Sequence, residues 1–329
     1  MVSLVKKLRE NPKWFYAFSI CATWAGAGSL IVGRNMVQQY GVIPFLLWAL
    51  GNALSCVFFG VCTGKFPFLK DLFSSKILKF VVGFMSIFQL WVNMSAIFEA
   101  LNFINPIAGM IIVYIISIAF LIYYLKDGMI RNVLTDGGGW TLVYAIIFGL
   151  VIYSLIVTGA KTPSLGLTQA GIKLGIQRFF TLLIGPFFYP FFWDLLKFNE
   201  KNDEKVNKTN ITSSFALGGL LFGIYLVFVF LLGTTTLGPV AEIIKGILLS
   251  LIALSSLTSF IYSLISLFGK KIGATINILS FIGWKVLIPF GVMGIWNFMQ
   301  DLRFTILIVS IIVYLIAKKI KGVNKNVKE

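Results

Sequence analysis

Apolar residues run along this chain in long unbroken stretches, not in the alternation of a half-buried strand. The stretches cover 14–33, 42–63, 77–101, 105–125, 139–160, 171–196, 212–234, 238–268, 273–299 and 303–320, and charges, Gly and Pro bound them. Most hold about 20 residues, which at about 1.5 Å of rise each matches a hydrocarbon core about 30 Å thick. The pattern predicts an all-α integral membrane protein with ten transmembrane helices. Continuous runs without a period of two argue against a membrane β-barrel. The eighth stretch is long, with room for a short outer helix ahead of the turn at Gly238-Pro239. One insertion, KFNEKNDEKVNK at 197–208, reads as a solvated loop.

Composition narrows the chemistry. The chain is 58% hydrophobic and 12% charged, a balance that a soluble domain of 329 residues does not tolerate. It contains no His, which excludes His-based metal sites and His-dependent nucleophilic catalysis. Cys21, Cys56 and Cys62 all lie in apolar segments and suggest neither a disulfide frame nor a metal cluster. With so few carboxylates at mid-span, an enzyme is not expected. The basic N-terminus (Lys6, Lys7, Arg9, Lys13) leads straight into a full span, so no cleaved signal peptide is expected.

Lys and Arg exceed Asp and Glu by 28 to 12. Membrane lipids, not nucleic acid, are the expected counterpart, because basic loops set topology and meet anionic headgroups. With the N-terminus inside, the inner segments hold 21 basic residues and the outer ones five: Arg34, Lys161, Lys173, Lys245 and Arg303. Arg178 and Lys285 fall within spans. The asymmetry predicts both termini in the cytoplasm. Residence in the plasma (inner) membrane is expected. The Asn-x-Ser/Thr sites at Asn207 and Asn210 then lie inside, which argues against glycosylation.

Ten spans divide into two fives, 1–160 and 161–329, of opposite orientation. The first span carries Ala25-Gly26-Ala27-Gly28-Ser29 at its middle; the sixth carries Gly185-Pro186 and then Pro190. Proline removes a backbone donor and clashes with the preceding turn, so the sixth span should kink or unwind. Interrupted helices at matching places in two halves point to an inverted-repeat transporter, since irregular backbone at that depth is tolerated where it lines a cavity. Taken alone, the small-residue run in span 1 serves close helix packing equally well.

Three segments resemble the solute:sodium symporter family. ATWAGAGSLIVGRNMVQQYGVIPFLLWALGNAL (22–54) is similar to its first two core helices. KDGMIRNVLTDGGGW (126–140) is similar to its basic loop leading into the fifth helix, and IALSSLTSFIYSL (252–264) to its eighth helix with paired serines. The resemblance spans roughly 14–265. It implies the leucine-transporter-type fold: two inverted five-helix repeats, discontinuous helices 1 and 6, and Na⁺ between helices 1 and 8. The implied sodium ligands are carbonyls of Ala22, Ala25 and Ile252 and hydroxyls of Ser255 and Ser256, with Asp136 and Ser259 toward the sodium exit. Ser and Thr in helices also bond preceding carbonyls, and Thr135 or Asp136 could simply cap the fifth helix. After helix 6 the chain departs from the family, reading FFWDLLKFN.

Substrate is expected near the breaks. Ser86, Gln89 and Asn93 recur at i, i+3 and i+7 on one face of span 3, a costly arrangement to turn toward lipid. Thr23, Trp24, Gly26 and Ser29 surround the first break; Phe188, Tyr189 and Trp193 flank the second. Arg178, with a carboxylate partner, is the in-span charge to follow. The scarcity of central charge favours a neutral or zwitterionic small-molecule solute. The expected function is sodium-coupled symport by alternating access, with no obligate protein partner. Proton-coupled or uncoupled transport on the same fold, and a non-transporting membrane sensor or scaffold, are the alternatives.

Overall fold

A computed structural model describes residues 12–66, 69, 76–101, 105–125, 128–202 and 211–326. The basic residues at 6–9 and the sites at Asn207 and Asn210 lie outside the described residues. Described secondary structure is all helical. The α-helices are α1 (Pro12–Asn35), α2 (Val42–Lys65), α3 (Lys76–Ala100), α4 (Pro106–Tyr124) and α5 (Gly128–Thr158), then α6 (Gln169–Leu183), α7 (Pro190–Asn202), α8 (Ile211–Gly233), α9 (Pro239–Phe268), α10 (Lys270–Trp284) and α11 (Gly291–Asn326). Short 3-10 turns, Gly185–Phe188 and Lys285–Phe290, join α6 to α7 and α10 to α11.

Eight stretches among the described residues are long and apolar enough to cross a membrane. Their packing is inside-out relative to a soluble bundle. On α4, Ile107, Ile111, Ile115, Ile118 and Ile122 form an exposed apolar stripe at helical spacing, while Gly109, Val113, Ser117 and Leu121 face inward. Large exposed patches of this kind mark a surface that meets another apolar phase. Polar side chains collect inside instead: Ser19, Thr23, Gln89, Asn93, Asn132, Asp136, Ser256 and Ser259 are all buried. This is a membrane-embedded protein whose apolar core encloses a set of buried polar side chains.

Several boundaries differ from the sequence expectation. Helix α5 begins at Gly128, not near 139, so Asp136 lies inside a helix and is not its cap. Helix α9 starts at Pro239, with Gly238 as N-cap and no separate outer helix. The largest shift is near the C-terminus. The break expected between 299 and 303 falls instead at 285–290, where Pro289 and the positive-φ Gly291 (φ 58) turn the chain. Helix α11 then runs continuously through 303. Lys285 moves to the exposed turn, and Arg303, expected outside the span, is fully buried.

The helices pair in a regular way. Helix α1 packs most extensively on α8, and α2 on α6; α3 packs on α9, and α5 on α9 as α11 does on α3. The 159–168 connection is irregular, and its carbonyls are used: Ser164 and Leu165 accept from the Val42 and Ile43 amides at the start of α2, at 2.9 and 3.1 Å.

Candidate functional site

Two helices are interrupted near the middle of the bundle. In α1, Gly26 takes φ 44, ψ 157, a conformation that a residue with a Cβ reaches only at a cost. The local groups this frees are met by side chains. Asn93 Oδ1 accepts from the Ala27 amide at 3.1 Å, and Ser29 Oγ donates to the Gly26 carbonyl at 2.8 Å. The Asn93 amide donates in turn to the Gln89 carbonyl at 2.8 Å, so the polar face of α3 is committed to this break.

The second interruption lies between α6 and α7. Gly185–Phe188 form a 3-10 turn, and Tyr189 is extended (φ −108, ψ 103) before Pro190 restarts the helix. This break is aromatic. Tyr189 meets Trp24 edge-on at 5.0 Å between ring centroids and stacks with Phe192 at 5.6 Å. Trp24 is fixed by its indole N–H, which donates to the Asn52 carbonyl at 3.0 Å. Trp193 Nε1 donates to the Phe187 carbonyl at 3.1 Å, and the ring packs on Phe59.

The breaks meet at one small cavity. Trp24, Ala25, Gly26, Ser29, Gln89 and Tyr189 line it, together with Asn52, Trp296, Gln300 and Arg303, which were not singled out from the sequence. About 20 Å³ of it is open to the centre of a water molecule. Thr23, Asn93, Phe188 and Trp193 do not line it. The first two serve polar networks, while Phe188 and Trp193 are buried in the second break. Trp296, Gln300 and Arg303 recur at i, i+4 and i+7, the spacing of one helix face. That signal was present in the sequence but was split by the misplaced break. A second, broader cavity of about 930 Å³ is lined by Leu30, Arg34, Asn35, Glu99, Glu242 and Lys245 among others. It begins one residue beyond Ser29 along α1.

Below the first break, away from Asn35, lies a chain of oxygens. Ser256 Oγ donates to the Ala22 carbonyl at 2.9 Å. Its neighbour Ser255, about 100° around α9, faces α5 and donates to Asp136 Oδ1 at 2.6 Å. Asp136 Oδ2 accepts from Ser19 at 2.5 Å and from the Asn132 amide at 2.9 Å. Asn132 also reaches Ser259, which bonds Thr23 at 2.8 Å. Asp136 is 1% exposed and pairs with no basic side chain among the described residues. Ala25 and Ile252 are buried on the same two helices, α1 and α9. The set consists of one carboxylate, hydroxyls and backbone oxygen, the donors that suit a hard cation. Arg178, 4% exposed, bonds Asp301 at 2.8 Å and Asn297 at 3.1 Å, outside the described lining of the cavity. Compared with protein-family models and with curated proteins, the chain matches none.

Proposed function

We propose that this protein is a secondary transporter of the plasma membrane that couples inward Na⁺ movement to uptake of a small organic solute by alternating access. The observation that carries the proposal is that two interrupted helices converge on a single central cavity lined by Gly26 and Tyr189. In this reading α6 and α7 together form the sixth of ten spans, α10 with its 3-10 turn the ninth, and α11 the tenth. Both termini are cytoplasmic. Adding five to each span number then maps α1 on α8 onto α6 on α2, and α5 on α9 onto α11 on α3, pairings that all occur. An inverted repeat of five would produce that symmetry.

Na⁺ would enter between Ser256 and the Ala22 carbonyl, with Ala25, Ile252 and Ser255 completing the shell and Asp136 supplying negative charge. A 100 mV potential contributes about 2.3 kcal/mol per ion, before the concentration gradient is added. The ion must bind the outward and inward states unequally to shift their balance. It does so here by bridging α1, which would move, and α9, which packs on α3, α5 and α10. In the proposed orientation the broad cavity opens outward, with the small cavity beneath its floor.

Uptake into proteoliposomes, driven separately by a Na⁺ and by a pH gradient, tests the proposal. The expected result is uptake only with Na⁺, with the half-saturating Na⁺ concentration raised about tenfold in Ser256→Ala, the loss of about 1.4 kcal/mol of binding. A second reading draws on Asp136, which has no cationic partner among the described residues and could carry a proton in place of Na⁺. Uptake driven by the pH gradient alone, and abolished in Asp136→Asn, would favour it.

A further inference from the structure

Two arginines among the described residues lie buried in this core, and they are provided for differently. Arg178 bonds Asp301 and Asn297, and its guanidinium carbon lies 5.3 Å from the Trp296 ring centroid. Arg303, two residues beyond Asp301 on α11, is 0% exposed. None of its Nε, Nη1 and Nη2 atoms has a hydrogen-bond partner, and no carboxylate pairs with it among the described residues. Its guanidinium carbon sits 5.4 Å from the Tyr189 ring centroid. The Tyr189 hydroxyl lies within side-chain hydrogen-bonding reach of the guanidinium, short of good donor geometry, and as a neutral group it supplies no counter-charge.

Arginine stays charged in proteins, and burying a charge without hydrogen bonds or a counterion is strongly unfavourable. An apolar side chain of similar length would fill the same space without that penalty. The site therefore expects an anion from beyond the described residues. Arg303 lines the small central cavity, between the two breaks. Gln300, one turn earlier on α11, lines it too, and its buried Oε1 has no partner either. A guanidinium offers two parallel N–H donors that match the two oxygens of a carboxylate. The free space is of the order of one small polar group. The carboxylate end of a solute fits it, and the remainder requires the cavity to widen.

We propose that Arg303 takes the carboxylate of the transported solute at the central cavity, so that the substrate is a small organic acid or amino acid and not a neutral polyol or sugar. Gln300 Oε1 is left to accept a hydrogen bond from a donor on the same solute. The proposal rests on the transporter reading and narrows its substrate class.

Acetate and alanine are the minimal probes, each against its own amide, acetamide and alaninamide. Thermal unfolding of the purified full-length protein is followed at constant NaCl, with acetate added as its choline salt and choline chloride as control. Acetate and alanine should raise the melting temperature saturably, while the amides and chloride do not. Arg303→Lys should weaken the half-saturating concentration about tenfold to a hundredfold, the range for losing a charge-assisted pair. Arg303→Met should abolish the response and unfold, without ligand, no earlier than the wild type. Acid and amide acting alike, chloride acting like acetate, no response to either acid, or Arg303→Met responding like the wild type would each overturn the proposal. So would a large loss of ligand-free stability in Arg303→Met, which would make the arginine structural. Sodium is titrated separately in the same preparation. A missing Na⁺ response with an intact acetate response would sink the sodium-coupled reading alone.

Discussion

The two helix breaks use different materials for the same geometric end. At Gly26 a single left-handed residue interrupts α1, and polar side chains from α1 and α3 take up the backbone groups. At 184–190 prolines remove amide donors outright, and Trp24, Tyr189 and Phe192 pack around the turn. The electrostatic settings are opposite as well. The oxygen network beneath the first break ends on Asp136, whereas the second sits against Arg303. Opening a helix supplies polar backbone at mid-bundle, and the neighbouring helices decide which sign of charge that backbone will serve.

Substitutions at the two glycines separate conformational from steric demand. A Cβ at Gly185 would overlap Trp24 Cη2 and meet Cζ3 at 2.9 Å, and Trp24 is held by its bond to Asn52. Gly185→Ala should therefore have the largest effect, about 3 kcal/mol of lost stability, the upper end for overpacking a tight core. It should also abolish uptake. Thermal unfolding and reconstituted transport check both outcomes.

Asn93→Ala comes next. It strands the Ala27 amide in a buried site, at a cost of about 2 kcal/mol. Thermal unfolding of Asn93→Ala against the wild type measures that loss together with the bond to the Gln89 carbonyl. At Gly26 the nearest atoms to an added Cβ are 3.9 and 4.0 Å away, which is ordinary contact. Gly26→Ala should then cost only the backbone term, about 1–2 kcal/mol. Its transport defect should exceed its stability defect, because the variant favours a straightened α1. The smallest effect is expected of Trp193→Phe, which loses one bond to the Phe187 carbonyl and keeps most of the packing, about 1 kcal/mol. A Trp193→Phe defect larger than that of Gly185→Ala would reverse the ranking and place the functional weight of the second break on its α7 flank.

Much of the scaffold was legible in one dimension. Nine of the ten expected stretches coincide with helices or with the α6–α7 path, differing chiefly at their ends. Both interruptions lie where Gly and Pro marked them, because positive φ and a missing amide are properties of single residues. The C-terminal region was misread for a physical reason. Gln300, Asp301 and Arg303 form the most polar cluster between 273 and 317, and polarity in a membrane chain resembles a loop until a buried partner or cavity accounts for it. The weaker marks of the true turn, Pro289 and Gly291, lay ten residues earlier.

Hydropathy and residue type alone thus determined that the chain forms apolar helices sized for a bilayer, and where two of them fail to run straight, because both follow from local free energies. Tertiary structure alone decided which polar groups meet. Nothing near Arg178 and Arg303 in sequence distinguishes an arginine answered by Asp301 from one left open beside Tyr189. Pairing across more than a hundred residues depends on how helices dock, and the cost of a buried charge is set by what stands next to it in space.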